Sequence, residues 1–210
     1  MNIEIGEISK PRFEFRTFGY DLSESSKLMA ELSISVPENV RHRRSEEIYI
    51  VSRANNYDNI KIRDGRLDIK TYVKNLKGLE QWNPTMKVEF PISKTVINND
   101  IFPAFNIKIQ RLIKNEYQLP EFLNLIGKNK YLHKVKVNKE RFGYMVNNTI
   151  CEIANVRIND VKLVSINSES TEIEDIIKTL YDVKLNNIEN INYLEAIKRV
   201  IGMTNKPLVN

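Results

Sequence analysis

The sequence predicts an α+β fold built on a mostly antiparallel β-sheet. Residues 59–73, NIKIRDGRLDIKTYV, alternate polar and apolar side chains on both sides of Asp64-Gly65, which indicates a tight β-hairpin. The same alternation recurs before and after a helical middle, and two amphipathic patterns follow near the carboxyl end. Runs of strands followed by helices are typical of α+β proteins rather than of alternating βαβ units.

Composition indicates an ordinary globular protein. The 210 residues are 41% hydrophobic and 28% charged, which suits a single domain over residues 1–210. The net charge of +5 is a mild excess that identifies no partner by itself. The lone cysteine, Cys151, excludes an intramolecular disulfide and alternates into an apolar strand, so we expect it in the core. The charged amino terminus has no apolar run, so we expect no signal peptide, no membrane span and a cytoplasmic location.

The first strand-rich half covers about residues 11–92. Its predicted elements are a strand at 12–18, a helix at 21–32, a basic cluster in a loop at 41–44, a strand at 46–53, the hairpin at 59–73, a connection at 77–82 and a strand at 85–92.

A helical middle, about residues 93–128, separates this half from a second one. Pro103 and Pro120 break its helical pieces, and the pattern of residues 106–113 fits strand and helix equally. The second half, about 130–170, and the C-terminal helices, about 171–203, contain predicted strands at 131–138, 141–147, 149–158 and 161–169 and predicted helices at 171–181 and 192–203. Thr171 and Glu174 have the spacing of a capping box.

The predicted strands repeatedly place basic side chains on one face and apolar ones on the other. An open sheet would leave the charged face in water, whereas a closed barrel would turn it inward. In a barrel each buried ion costs several kcal/mol unless it is compensated. A polyanion, with a divalent cation held by glutamates, would supply that compensation. The basic candidates are Arg12, Arg16, Lys61, Arg63, Arg66, Lys70, Lys87, Lys134, Lys136 and Arg141, and the acidic ones are Glu14, Glu89, Glu152 and Glu169.

Several common chemistries lack their sequence patterns. The chain has no G-x-x-x-x-G-K-[ST] and no G-x-G-x-x-G, so no P-loop and no dinucleotide fingerprint is present. It has no G-x-S-x-G nucleophile elbow. Its two histidines, His42 and His133, lie far apart in sequence, which makes a zinc site or a catalytic triad improbable.

The order of four segments resembles the CYTH superfamily, also called triphosphate tunnel metalloenzymes. These segments are RFEFRTF, NIKIRDGRLDIK, KVKVNKERFGYMV and EIANVRINDVKLVSINSES, and the ending NYLEAIKRVIGM fits as well. The resemblance implies an antiparallel eight-stranded β-barrel, or tunnel, with flanking helices, which binds triphosphates with Mg²⁺ or Mn²⁺. Members hydrolyse inorganic triphosphate, thiamine triphosphate or nucleoside triphosphates, or cyclise ATP.

The resemblance also implies roles for individual residues. Glu14, Glu152 and Glu169 would be catalytic, and Glu14 and Glu169 would be the metal ligands. The phosphate-binding residues that the resemblance implies are Arg16, Lys61, Arg63, Lys70, Lys134, Lys136 and Arg141. We add Lys87 to this set because it is a further cation on the same strand faces.

Two departures from the family pattern keep the function open. Arg12 stands where a first glutamate is expected, and Asn167 stands where a second late glutamate is expected. A positive charge at position 12 would repel a metal ion and would remove one ligand. The leading hypothesis is a metal-dependent hydrolase of triphosphate-containing substrates. The alternatives are a tunnel that binds a polyphosphate without cleaving it, and an adenylate cyclase of the same superfamily.

A more distant alternative is an RNA-binding protein, because four aromatic residues stand near basic ones: Tyr49, Tyr57, Tyr72 and Trp82. Most of them alternate onto apolar strand faces, which favours core packing. The expected partner is therefore a small-molecule triphosphate, with neither nucleic acid nor a membrane expected. The sequence leaves a homodimer open.

Overall fold

The computed structural model describes residues 11–107 and 111–208. The strands are β1 (Phe13–Gly19), β2 (His42–Ser52), β3 (Asp58–Arg63), β4 (Arg66–Leu76), β5 (Leu79–Glu89), β6 (Ile92–Ser93), β7 (Glu116–Tyr117), β8 (Leu132–Val146), β9 (Thr149–Ile158) and β10 (Val161–Ser170). The helices are α1 (Ser23–Leu32), α2 (Glu38–Arg41), α3 (Lys94–Val96), α4 (Phe102–Ala104), α5 (Leu119–Gly127), α6 (Ile173–Asp182) and α7 (Tyr193–Val200), and a π-helical turn (Ile97–Ile101) joins α3 to α4. Within the described ranges, every helix is too short or too polar to cross a membrane.

Eight of these strands close into an antiparallel barrel. Their order around the barrel is β1, β10, β9, β8, β2, β3, β4 and β5, and β5 returns to β1. The closing junction pairs Phe13 with Gln81 and Glu14 with Glu80, whereas β8 pairs with β2 along eleven residues, His42 to Ser52. The structure therefore decides between the two geometries that the sequence left open: the sheet is closed.

The predicted central hairpin is confirmed as β3 and β4. Asp64 and Gly65 have φ angles of 51° and 72°, the left-handed conformation that a tight hairpin turn requires. Asn159 has a φ of 50° in the predicted turn between β9 and β10. Lys77-Gly78 forms a further turn of this kind, so β5 begins at Leu79 and the predicted connection at 77–82 is mostly strand.

Three further local predictions need correction. The basic cluster at 41–44 lies mostly on β2 rather than in a loop, and the strands predicted at 131–138 and 141–147 form the single strand β8. The capping box predicted at Thr171 is absent, because Glu172 is the N-cap and makes no side-chain cap hydrogen bond. A capping box occurs at α5 instead, between Gln118 and Glu121. The undecided segment 106–113 includes residues 108–110, which lie outside the described ranges.

The apolar face of the barrel wall points outward and packs under helices. Phe122 and Ile126 of α5 lie in one cluster with Ile60 and Leu67 of the central hairpin. A second outer cluster joins α1 and α6 to β1, β9 and β10, and it contains the buried Cys151 as predicted. Because successive side chains of a strand point to opposite faces, this packing turns the charged positions into the barrel.

A third apolar cluster closes one end of the barrel from within. Leu194 and Ile197 of α7 pack against Phe18, Tyr49 and other inward-facing residues of the barrel wall. The amphipathic pattern at 192–203 is thereby confirmed as core packing. The remaining interior, on the side of this plug toward Glu14 and Arg141, is the charged part of the barrel.

Candidate functional site

Most of the residues implied as functional come together inside the barrel. Cross-strand register places Arg16 opposite Asn167, and Asn167 opposite Glu152. Lys61 lies opposite Tyr49, whose ring belongs to the internal plug cluster. Because side chains alternate between the two faces of each strand, the side chains that point into the barrel include those of Glu14, Arg16, Lys61, Arg63, Lys70, Arg141, Glu152 and Glu169.

Glu47 is the most deeply buried charge of the site. It is fully buried, and three cations surround it. Its carboxylate lies 2.8 Å from Lys139 Nζ, 3.4 Å from Lys61 Nζ and 3.5 Å from Arg63 Nη1. Ser45 Oγ donates a further hydrogen bond to it at 3.2 Å. One carboxylate therefore holds three cationic side chains from the two strands that flank β2, namely Lys139 of β8 and Lys61 and Arg63 of β3.

Burial and charge act in opposite directions on this cluster. Burial alone would raise the pKa of Glu47, but the charges of Lys139, Lys61 and Arg63 hold that pKa well below its ordinary value. Burial lowers the pKa of Lys139 to about 7, against the opposing attraction of Glu47. Lys139 is 5% exposed and donates a hydrogen bond to Tyr49 Oη at 2.8 Å. Its charge is therefore sensitive to pH near neutrality.

Carboxylates form a row across β5, β1 and β10. Glu80 lies opposite Glu14, and Glu14 lies opposite Glu169. Two of them are held by arginines: Arg16 Nε donates to Glu14 at 2.8 Å, and Arg12 Nη1 donates to Glu169 at 3.1 Å. The residue that departs from the family pattern, Arg12, is thus the ion-pair partner of an expected metal ligand.

The carboxylates of this row titrate differently. Burial raises the pKa of Glu169, and the negative charge of Glu14 raises it further. Glu14 is also buried, but Arg16 and Lys70 hold its pKa below the ordinary value. Burial raises the pKa of Glu80, which accepts hydrogen bonds from Trp82 Nε1 and the Asn192 amide. Glu14 is therefore the member of the row that most firmly keeps its negative charge.

Two arginines face each other near the end of the barrel opposite the plug. Arg43 on β2 and Arg141 on β8 are direct cross-strand partners, an arrangement that repels unless an anion offsets it. Arg43 pairs with Glu152 at 3.3 Å, whereas Arg141 donates to the neutral Ser45 Oγ at 3.2 Å. The Nε atoms of both arginines are buried and have no hydrogen-bond partner among the described residues. These unused donors are suited to an anionic oxygen.

A divalent metal fits this arrangement poorly. The carboxylates implied as ligands are already paired with arginines: Glu14 with Arg16, Glu169 with Arg12, and Glu152 with Arg16 and Arg43. No group of three or more His, Cys, Asp or Glu side chains able to hold a metal ion occurs in residues 11–107 and 111–208. The carboxylates implied as ligands are therefore engaged by guanidinium groups and are poorly suited to hold a divalent metal ion as they stand.

Three of the phosphate-binding residues expected from the sequence lie outside the buried cluster. Lys134 donates to the Leu123 carbonyl of α5, and Lys136 pairs with the exposed Glu46 at 2.8 Å, so both are on the outer face of β8. They stand an odd number of residues from Arg141, and an unbroken strand turns such positions to opposite faces. The expectation that they line the barrel with Arg141 is corrected here. Lys87 shares a face with its cross-strand partner Asp68 but is exposed.

Sequence analysis missed four members of the charged interior: Arg43, Glu47, Glu80 and Lys139. Lys139 was not predicted because the predicted strands ended at 138 and began again at 141. It lies two residues before Arg141, so in one continuous strand it shares the face of Arg141. Glu47 carries no such signal by itself. Only the cross-strand register brings it beside Lys61 and Arg63.

Two concavities lie near these residues. A small internal one, about 20 Å³, is bordered by Arg12, Glu14, Lys70, Trp82 and Glu169 and offers room for about one water molecule. A larger one, about 790 Å³, is bordered by β2, β8, β9 and β10, mostly by outer-face residues such as Arg157 and Lys162 but also by Ser45 and Lys139. The chemistry described above belongs to the barrel interior and not to the larger outer surface.

No protein-family model matches the chain, and no curated protein matches it. Among solved structures, it is similar to a candidate adenylate cyclase from Bacillus halodurans, with 12% identity, 89% of this chain and 97% of that chain covered and a TM-score of 0.49. It is also similar to a protein from Pyrococcus horikoshii OT3, with 15% identity, 89% and 99% coverage and a TM-score of 0.49. A candidate adenylyl cyclase from Hippeastrum that reveals a dominant triphosphatase activity is 12% identical, with 91% and 96% coverage and a TM-score of 0.46.

The barrel itself confirms the fold expected from the sequence. Its eight strands are antiparallel, helices pack on part of its outer face, and many of its charged side chains converge inside. The chain therefore has an α+β architecture, a closed eight-stranded antiparallel β-barrel with flanking helices.

Proposed function

We propose that the chain binds the polyphosphate group of a small-molecule triphosphate inside the barrel, through arginine and lysine and without requiring a metal ion. The observation that carries this proposal is the opposed pair Arg43 and Arg141, whose buried Nε donors have no partner among the described residues. Buried polar groups are almost always hydrogen-bonded, so unused cationic donors favour an anionic ligand.

The paired carboxylates support binding without metal. Arg16 and Arg12 already offset the charges of Glu14 and Glu169. The interior cavity beside them holds only about 20 Å³, so a phosphate group enters by displacing side chains. Arg12 is 36% exposed at its side chain and can turn from Glu169 to the ligand. Binding then exchanges intramolecular ion pairs for contacts with phosphate.

Calorimetric titration of the full chain with tripolyphosphate tests this proposal. We expect saturable binding in the presence of a chelator, and similar binding when Mg²⁺ or Mn²⁺ replaces the chelator, because guanidinium groups provide the positive charge. An absence of binding under both conditions would overturn the proposal. Binding that appears only with Mg²⁺ or Mn²⁺ would show that a metal ion is required after all.

Metal-dependent hydrolysis is the second candidate function. The cross-strand pair of Glu14 and Glu169 favours it, since two opposed carboxylates that differ in their tendency to ionise are suited to proton transfer. Phosphate release is measured from tripolyphosphate, thiamine triphosphate and ATP, with Mg²⁺ or Mn²⁺ and a chelator control. Release that disappears in Glu169→Gln would establish hydrolysis. Binding alone predicts no release, and cyclic AMP formed from ATP would indicate a cyclase.

The proposed binding should weaken as the pH rises through neutrality. Burial lowers the pKa of Lys139 to about 7, so its positive charge is lost between about pH 6 and about pH 8. Its protonated form attracts a polyanion and its neutral form does not, so affinity for tripolyphosphate is expected to fall over this window. Titrations at several pH values measure the trend.

The charge of the ligand also changes with pH, and its effect on binding is opposite to that of Lys139. Tripolyphosphate gains negative charge as the pH rises, which by itself would strengthen binding to a cationic site. A fall in affinity with rising pH would therefore come from loss of charge on the protein and not from the ligand. In Lys139→Met the fall should disappear, whereas Lys136→Met, which removes a charge from the outer face, should keep it. A Lys139→Met protein with the unaltered pH profile would contradict the assignment.

A further inference from the structure

Tyr193 occupies the boundary between the apolar plug and the charged interior. It is the first residue of α7, and Asn192 caps the helix before it by accepting a hydrogen bond from the Glu195 amide at 2.9 Å. Its ring stacks on Tyr49 with the centroids 5.6 Å apart and meets the edge of Phe18 at 4.9 Å. The ring is therefore fixed from the plug side.

Two cations lie over the same ring. Lys139 Nζ is 3.5 Å from the ring centroid, and Arg16 Cζ is 4.7 Å from it. Cation–π contacts of this kind are strongest where water is excluded, and Tyr193 is only 7% exposed. The Tyr193 ring thus contacts two cations of the charged site, Lys139 and Arg16.

The hydroxyl of Tyr193 is the unexplained part of this arrangement. It is buried and has no hydrogen-bond partner among the described residues. Burial raises the pKa of Tyr193 well above its ordinary value, so the hydroxyl remains protonated. The charges that act on it are chiefly those of Arg16, Glu152 and Glu47, all members of the barrel interior. The hydroxyl is therefore a protonated, unused donor on a ring that two cations of the charged interior, Arg16 and Lys139, contact.

We propose that the Tyr193 hydroxyl donates a hydrogen bond to the innermost phosphate oxygen of the bound polyphosphate. This inference rests on the proposed function and adds the C-terminal helix to the ligand site. It assigns α7 two tasks, since the residues after Tyr193 close the barrel and Tyr193 itself contacts the ligand. A ligand held in this way links occupancy of the barrel to the docking of α7.

The substitution Tyr193→Phe tests the inference because it removes the hydroxyl and keeps the ring. We expect affinity for tripolyphosphate to fall about 10-fold to 100-fold, the usual effect of losing a hydrogen bond to a charged acceptor. Without ligand, the urea midpoint of unfolding should be equal to that of the wild type or higher, because an unpaired buried hydroxyl is removed. The control is Tyr181→Phe, whose hydroxyl is on an exposed residue of α6 and should leave affinity unchanged.

The possible failures are distinguishable. Wild-type protein that does not bind tripolyphosphate would overturn the proposed function, and this inference with it. Wild-type binding with an undiminished affinity in Tyr193→Phe would overturn the inference alone. A loss of affinity accompanied by a lowered urea midpoint would show that the hydroxyl serves the fold rather than the ligand, which would also overturn the inference.

Discussion

Glu47→Gln is expected to lower the free energy of unfolding by about 3–5 kcal/mol, the usual cost of removing one partner from a buried ion pair. The glutamine has nearly the same shape, so the main change is the loss of one negative charge at a fully buried position. Lys61 and Arg63 then lose the carboxylate that holds them, and the pKa of Lys139, which burial already lowers, falls further without the attraction of Glu47. Equilibrium unfolding in urea measures the change, which is large for a domain of this size.

The neighbouring residue provides a matched control. Glu46 is on the same strand and also pairs with a lysine, Lys136, at 2.8 Å, but both side chains are more than half exposed. Surface ion pairs of this kind contribute about 0–1 kcal/mol. Glu46→Gln should therefore unfold almost as the wild type does. Equal destabilisation by the two substitutions would refute the role of Glu47 as the buried charge that stabilises three cations.

Added tripolyphosphate extends the test of Glu47. In Glu47→Gln the uncompensated cations can be offset by a polyanion, so the ligand should raise the urea midpoint of this variant by more than it raises that of the wild type. Lys139→Met measured in parallel shows whether the gain depends on the cation nearest Glu47. A variant that gains no more than the wild type would indicate that the cations around Glu47 do not contact the ligand.

Arg141→Met is expected to weaken tripolyphosphate binding by about 1.5–3 kcal/mol, or roughly 10-fold to 150-fold in Kd, as for a lost hydrogen bond to a charged group. Methionine retains most of the aliphatic length while the guanidinium is removed. The effect on the fold should be small, since among the described residues Arg141 donates only to the neutral Ser45 Oγ, and it faces the like charge of Arg43. Calorimetric titration measures the affinity.

Lys136→Met is the control for net charge. It removes the same unit of positive charge from the same strand, but from the outer face, where Lys136 pairs with Glu46. We expect its affinity to stay within about twofold of the wild type, because charges separated by the barrel wall and solvent are largely screened. If both substitutions weakened binding equally, the attraction would come from overall charge and the barrel interior would not be the binding site.

Local sequence patterns predicted many of the strands and helices. Asp64-Gly65 between alternating segments predicted the β3–β4 hairpin, and the stripe of Ile176 and Leu180 predicted a packed helix. These features depend on residues close together in sequence, so propensity and periodicity suffice to find them. The strand boundaries near Lys139 and the loop predicted around Arg43 were wrong, because the pairing of β8 with β2 extends both strands beyond what their local patterns indicate.

The arrangement of the candidate site was predicted less completely. Glu14, Arg16, Glu152 and Glu169 were expected as functional residues and do meet inside the barrel. Their partners could not be predicted. The pairing of Arg12 with Glu169 joins residues 157 positions apart, and it exists only because β1 lies beside β10.

The sequence by itself determined which side chains of each strand share a face, because alternation with a period of two is a local property. It therefore separated the apolar side chains, such as Ile60 and Ile62, from charged ones such as Lys61. Only the tertiary structure decided that the charged face is inside, since this depends on closure of β5 onto β1 and on where the helices dock. Closure and register also decided that Glu47 pairs with three cations and that α7 fills one end, because both arise between segments that are distant in the chain.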